Sequence, residues 1–356
     1  MGRKQTTADT ALPELVRLAV PLLQQAEREC PRTGPGAKPV IPDWVVAALI
    51  MIAILLKKKS KSAQYRCLVG RRDEIAAWLE ATDFPSRATY FRRYRRAHRL
   101  YQTAIKLQGA QAIAEGVVQP RHVAVDKSLL EAAGPPWHQR DRRAEKVRAG
   151  VDVEGAWGRS QHDGWVYGYS YEAVVVSTPR QIVFPLLASV DTASACETLT
   201  FPPKIADLPA ATQTVSADSA SDANHVGEQV EYDAAGRRTG RRFVCPENPR
   251  NNQRPKTKPC AADASRAQSR QRRRQRRRFR ESQRGRRIYA RRKKTVEPFN
   301  SWFKALFDLE QKVWHRGLDN NRTQLLAALF SYQLLVRYNH GCGHKNGCIR
   351  WILDAL

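Results

Sequence analysis

The sequence predicts an α/β fold, a mixed sheet flanked by helices, behind an all-helical N-terminal region. Two observations carry this. Apolar residues recur at helical spacing up to about residue 115, and from His122 they alternate with a period of two. Between residues 122 and 226 the alternating runs are interrupted by one short helical segment, the mark of a sheet with helices packed on it. A third observation bears on partners. The 356 residues are 42% hydrophobic yet carry a formal charge of +27, so the chain can build a core while demanding a polyanion outside it. Nucleic acid is the first candidate.

The N-terminal elements follow in order. Residues 12–29 place Leu15, Leu18, Leu22 and Leu23 on one side of a helix, and residues 31–42 form a Pro/Gly linker. Trp44 to Leu56 is apolar throughout, but thirteen residues at ~1.5 Å each span about 20 Å, too short for a bilayer core. With Asp43 and Lys57 closing it, a buried helix is expected and a membrane partner is not. The first residues, MGRKQTTADTALPEL, carry no secretory signal. In FPSRATYFRRYRRAHRL, Ser86 caps a helix on which Arg87, Arg92, Arg93, Arg95 and Arg96 crowd, an arrangement like a helix-turn-helix DNA contact. A solvated basic face is the alternative. This region, residues 1–115, is expected to be a helical DNA-binding domain.

RHVAVDKSLL reads as a strand ending at Asp126, and residues 147–153 as a second short one. Residues 164–178 and 181–193 read as an antiparallel pair joined by Thr178-Pro179-Arg180. A short helix over 194–200 precedes a strand in ATQTVSADSASD that ends at Asp218. Three strands, a helix and a fourth strand make a ribonuclease-H-like layout, expected over residues 116–340. A basic insertion at about 231–290 loses all apolar pattern. From Arg266 to Lys294, sixteen Lys or Arg face one acid, Glu281, which predicts a disordered or solvated run in the free protein. Against DNA each such cation can neutralise a phosphate and release a counterion.

The chain recovers in VEPFNSWFKALFDL. On a helix reaching to about Lys312, Glu297, Ser301 and Lys304 share one face, and Phe299, Phe303 and Leu306 the opposite one. A last helix is expected from Asp319 to Tyr338, and residues 341–356 as a tail. Seven scattered Cys exclude a disulfide framework. His340, Cys342, His344 and Cys348 lie close together but match no common zinc spacing.

Asp126 and Asp218 thus sit at strand ends, and Glu297 starts a helix able to cross the sheet. Three converging carboxylates repel unless cations intervene, and hard oxygen ligands suit Mg²⁺ or Mn²⁺. Two such ions about 3.5–4 Å apart serve phosphodiester chemistry.

These residues resemble those of the DDE transposases of bacterial insertion sequences, the cut-and-paste group. VAVDKSLL resembles that family's first-Asp strand, GWVYGYSY the strand between the first two acids, SADSASD the second-Asp segment, and VEPFNSWFKALFDL the Glu helix. The resemblance implies that Asp126, Asp218 and Glu297 form the metal-binding triad, with Asp126 bridging two Mg²⁺ or Mn²⁺ ions. It implies cleavage at element ends followed by strand transfer into target DNA. In the family's Tyr-Arg-Glu-Lys signature, Lys304 keeps its spacing from Glu297. Arg292 keeps its spacing from Tyr289, while Lys293 stands where Arg is expected from Glu297, so one extra residue lies between Tyr289 and the rest. Tyr289, Arg292, Lys293 and Lys304 would hold backbone phosphates near the cut. Ser219-Ala220-Ser221 replaces the usual Gly-Tyr, which leaves Asp222 as a reserve for Asp218.

The partners implied are double-stranded DNA, both terminal inverted repeats and target, and a homodimer assembled on it, in the nucleoid of a bacterial cytoplasm. Two other readings stay open on the residues alone. One is a basic nucleic-acid-binding protein without catalysis; the other is a nuclease of the same fold without strand transfer. Trp302 and Trp165 are candidates for stacking on a base, against the alternative of burial in the core.

Overall fold

The computed structural model describes residues 8–31, 39–81, 83–160, 163–177, 182–248, 264–344 and 347–356. The Pro/Gly linker (residues 32–38), the Thr178-Pro179-Arg180 turn, Cys260 and part of the basic insertion lie outside them. The helices before the sheet are α1 (Ala8–Glu29), α2 (Asp43–Leu55), α3 (Lys61–Gly70), α4 (Arg72–Leu79), α5 (Arg87–Tyr94) and α6 (Ala97–Ala114). Then come β1 (His122–Glu131), α7 (Gln139–Arg143), β2 (Ala156–Ser160), β3 (Gly164–Ser177), β4 (Val183–Thr192), α8 (Glu197–Thr200), α9 (Pro202–Ile205) and β5 (Thr214–Ser216). The chain closes with α10 (Asn224–Glu231), β6 (Arg242–Val244), α11 (Ala264–Glu281), α12 (Gln283–Lys293), α13 (Val296–Leu306), α14 (Leu318–Gly341) and α15 (Arg350–Asp354).

The expected ribonuclease-H-like architecture is present. β1 lies between β3, to which it runs antiparallel, and β5, to which it runs parallel; β6 continues parallel beyond β5. β4 pairs antiparallel with Tyr169–Ser177 of β3, and β2 pairs with residues 164–168 at its start. Gly168 permits the tight approach of β3 to β1, because a Cβ there would fall 2.2 Å from the Leu130 carbonyl oxygen.

α2 is buried from Val45 to Leu55, as thirteen nearly all-apolar residues require. It is held between α1, α6 and α14, and Tyr101 of α6 donates to the Ala47 carbonyl at 2.5 Å. α14 ties these helices to the sheet. Its Gln333 amide donates both to Ile105 O of α6 (3.0 Å) and to Pro185 O of β4 (2.7 Å), and Arg337 is bonded to Glu115. One continuous hydrophobic cluster therefore joins the N-terminal helices to the sheet. No helix among the described residues is long and apolar enough to cross a membrane.

Four local expectations are corrected. β1 runs past Asp126 to Glu131, because β3 continues opposite it as far as Gly168. The second strand is residues 156–160, not 147–153. Residues 151–155 instead cap α14: Asp152 accepts from the Tyr169 hydroxyl (2.8 Å) and from Gly317 N (3.2 Å), and Glu154 accepts from Leu318 N (2.5 Å). α13 ends at Leu306, where Leu309 N turns back to Lys304 O (2.8 Å) and Asp308 adopts φ +50°. The C-terminal tail contains α15, whose Ile352 and Leu353 are buried.

The largest correction concerns the basic run. It is not disordered: it forms α11 and α12, and β6 precedes them. Gln and Arg are good helix formers, and long Arg stems cover apolar surface. Every third or fourth side chain of α11 faces inward and finds a partner. Arg272 lies over the Tyr232 ring (3.7 Å), Arg273 pairs with Asp222 (3.2 Å) and Arg276 with Glu231 (3.7 Å). Phe279 packs under Arg242. Arg270, Arg274, Arg277 and Arg278 point to solvent. Ser282 then caps α12 by accepting from Gly285 N (3.2 Å). Gly285 is required at this corner, since a Cβ would fall 2.0 Å from Phe279 O.

Candidate active site

Parallel pairing sets the first two acids side by side. β1 and β5 match His122 with Thr214 and Ala124 with Ser216. Two residues further, Asp126 and Asp218 stand at the same level and on the same face, since side chains alternate with a period of two. Asp126 remains within β1, opposite Ala173. Asp218 has left its strand and caps the short 3₁₀ turn Ser219–Ser221, accepting from Ala220 N at 2.8 Å. Asp222, the reserve candidate, is committed elsewhere: it accepts from Asn248 N (2.8 Å) and pairs with Arg273.

α13 brings the third acid. Phe299 and Phe303 stack at 5.7 Å and meet Tyr171 of β3 and Tyr332 of α14 edge-on, so the helix is fixed across the sheet by aromatic contacts worth ~0.5–1.5 kcal/mol each beyond burial. Glu297 lies exposed in its first turn. One turn on, Asn300 donates to Asp126 Oδ2 (2.7 Å) and accepts from the Tyr171 hydroxyl (2.9 Å). Lys304 reaches the Leu129 carbonyl of β1 (3.1 Å), and burial draws its pKa down.

α12 approaches the same carboxylate from the other side. Arg292 donates to Asp126 Oδ1, and its guanidinium is 11% exposed. Lys293 is exposed and has no such contact among the described residues. Of the two, Arg292 is the one that meets Asp126. Tyr289, one turn earlier, is half-buried; burial raises its pKa, and it lies within the electrostatic reach of Arg292, Asp218 and Asp126. The extra residue between Tyr289 and Glu297 is absorbed where α12 ends and α13 begins, in the turn Lys294–Thr295.

Burial pushes Asp126 up to about 6, against the pull of Arg292 and with a further push from Asp218; Asn300 lowers it and Glu297 raises it. A fourth acid, missed in the sequence, joins them. Glu197 opens α8, shares a hydrogen bond with Asp218 and accepts from Ser221 Oγ (3.0 Å). Burial, and then the charge of Asp218, push its pKa well above the carboxylate range. Nothing in its local sequence distinguishes it; only the turn into α8 brings it to the site.

The expected DNA-contact arginines lie apart from this cluster, on α5. Arg87 is bonded to Ser62 Oγ (3.1 Å) and lies over Phe91, and Arg92 is exposed. Arg93 is turned inward to Asp43 (3.7 Å) and to the Ile41 carbonyl. Trp302 and Trp165 are exposed, 40% and 66%, rather than buried in the core. Cys342 and Cys348 are exposed, and His344 packs against Trp351.

Among the described residues, no three His, Cys, Asp or Glu side chains lie close enough together to hold a metal ion. The donor chemistry nonetheless fits a hard divalent cation. Asp126, Asp218 and Glu297 offer only oxygen, and burial beside other acids makes the Asp126 anion costly until a cation arrives.

The family model described as "Transposase DDE domain" matches residues 118–334, more than half of the chain. No curated protein matches. A cryo-EM structure of the piggyBac transposase synaptic complex with hairpin DNA aligns over 99% of this chain and 79% of its own, with 10% identity and a TM-score of 0.40. At that level the likeness carries no argument.

Proposed function

The chain belongs to the DDE-domain transposases, enzymes that cleave DNA and transfer its strands, and from this premise we propose that Asp126, Asp218 and Glu297 are its catalytic triad. The observation that supports this best is the shared register level of Asp126 and Asp218, with α13 carrying Glu297 over the same face.

The family uses divalent metal ions, and here Asp126, Asp218 and Glu297 would hold them, Mg²⁺ or Mn²⁺. When bound, the ions supply Lewis-acid stabilisation to the attacking and leaving oxygens of an in-line displacement. The chain's own residues do the rest. Arg292, bonded to Asp126 in the free protein, turns to a backbone phosphate when DNA enters; its planar fork suits that oxygen pair. Tyr289 and Lys304 flank the same strand and hold further phosphates, and Lys293 contributes from the exposed side of α12. Asn300 keeps Asp126 oriented through its bond to Tyr171. Glu197 holds the Asp218 turn through Ser221.

The wider DNA surface is assigned on charge. The outward Arg face of α11 neutralises duplex phosphates, and α5, through Arg87 and Arg92, is the element-end contact of the N-terminal helices. Arg93 supports that helix through Asp43 rather than touching DNA. Two ends cut by one assembly make a homodimer on DNA the expected form.

The test starts from the DNA flanking the gene, where short inverted repeats identify the substrate. Purified protein with Mg²⁺ is expected to nick those ends and join them to a target plasmid. Asp126→Asn, Asp218→Asn and Glu297→Gln should each lower cleavage by roughly 10³-fold or more. Wild-type-like cleavage by any one of them removes that residue from the triad.

A further inference from the structure

The catalytic face of the sheet does not end at Lys304. In β3, residues of odd number share the face of Ala173, the partner of Asp126: Tyr171 meets Asn300, and Tyr169 and Tyr167 both bond Asp152. Trp165 continues this row. Cross-strand pairing sets Arg159 opposite Trp165 and Trp157 opposite Tyr167, so all four side chains lie on that same face.

The short helix α7 reaches only the Tyr167 and Trp157 side of this part of the face, through Arg142 and its cap His138, and leaves both indoles accessible. Trp165 is 66% exposed and Trp157 39%, and Arg159 is also exposed. The Trp157 ring is nevertheless held. Trp157 rests edge-on against Tyr167 at 5.3 Å with His138 at 6.3 Å on its flank, and Tyr167 lies under the Arg142 guanidinium at 5.9 Å. Asp163, between the two strands, lies within the electrostatic reach of Lys304, so the hairpin begins where the Glu297–Lys304 face stops.

Resting on the transposase reading above, we propose that the β2–β3 hairpin is a platform for unpaired DNA bases flanking the cut, on which Trp165 and Trp157 stack while Arg159 takes a phosphate. Three arguments select this occupant. A flat ring standing out from a sheet offers a face, and base faces are open only where DNA is unstacked. A duplex groove is read instead by polar side chains reaching base edges. The platform is also continuous with the face that carries the three acids, and its cations match a strand and not an apolar partner. Because Trp157 is already fixed against Tyr167, little of its side-chain freedom is lost on binding.

The experiment uses the full chain, with a fluorescein-labelled oligo-dT single strand and a blunt duplex of equal length as probes. The double variant Trp157→Ala/Trp165→Ala is expected to weaken the single-strand complex by roughly ten-fold or more, given ~1–3 kcal/mol per stacked base. Duplex binding should change less than two-fold, and Trp157→Phe/Trp165→Phe should restore most of the single-strand affinity. The proposal is overturned if the alanine variant binds oligo-dT as the wild type does, or loses both probes equally. It is also overturned if that variant changes only the oligomeric state, seen by light scattering, which would make the face a contact between copies. Asp126→Asn should abolish cleavage without the loss of oligo-dT affinity expected of the alanine double variant, so failure of the triad and failure of the platform are read separately.

Discussion

Arg292 and Asp126 are bonded to each other across the sheet, a cation holding the carboxylate on which catalysis is proposed to turn. With Asn300 on the second oxygen, both Asp126 oxygens are engaged by protein donors. Arg292 therefore competes with any metal ion for that carboxylate. Arg292→Gln should tighten Mn²⁺ binding about ten-fold, the effect of ~1.4 kcal/mol of lost competition, while lowering DNA cleavage. Calorimetric titration of Mn²⁺ checks the first part. Unchanged affinity would mean that the pair does not gate metal entry.

Asp126 makes the metal-free protein sensitive to pH. Its folded value of about 6 lies above the usual carboxylate value of 3.8. The associated stabilisation is complete below about pH 4 and is lost as pH rises through about 6. In EDTA, wild type should lose up to about 3 kcal/mol relative to Asp126→Asn between pH 4 and pH 7. Urea unfolding at the two pH values measures this. A pH-independent difference between the two proteins would falsify the assignment of the shift to Asp126.

Asn300 links Tyr171 to Asp126, so its removal acts on both. Asn300→Ala should cost about 1 kcal/mol of stability, because the buried Tyr171 hydroxyl loses an acceptor. Tyr171→Phe should cost less on top of that change than it does alone. A double-mutant cycle in urea gives the coupling, and strict additivity counts against the chain of bonds.

The two faces of α11 should separate structure from DNA affinity. Arg273→Ala breaks the pair with Asp222 and should lower the melting temperature by a few degrees. Arg274→Ala, on the solvent side, should leave melting unchanged and reduce the salt slope of duplex binding by about 1. Equal behaviour of the two variants in both assays removes the division of labour.

Much of this arrangement was legible in the residues. The alternation around Asp126, the β3–β4 pair and the apolar stripe of α13 are period signals, and each is used by the fold as the pattern implies. What escaped has physical causes. Arg272, Arg273 and Arg276 face inward because their charges are met by Tyr232, Asp222 and Glu231, partners remote in the chain. Composition alone cannot show that such a run has an inside. Val147, Val151 and Val153 alternate like a strand, but the Asp152 carboxylate spends its bonds on the start of α14. Glu197 carries no period or motif, and its place beside Asp218 depends wholly on how β4 turns into α8.

The turn at Lys294–Thr295 bears on how such chains tolerate insertions. Had Tyr289 and Glu297 shared one helix, a single added residue would have swung every later side chain by about 100° and carried Lys304 off the face. At a joint between two helices, the same addition lengthens the elbow and leaves each arm in place. Distance along the chain is then a loose quantity here, while the seven-residue spacing of Lys304 from Glu297, inside one helix, is a rigid one. Relatives of this chain should vary in spacer length at the elbow and stay fixed within the arm.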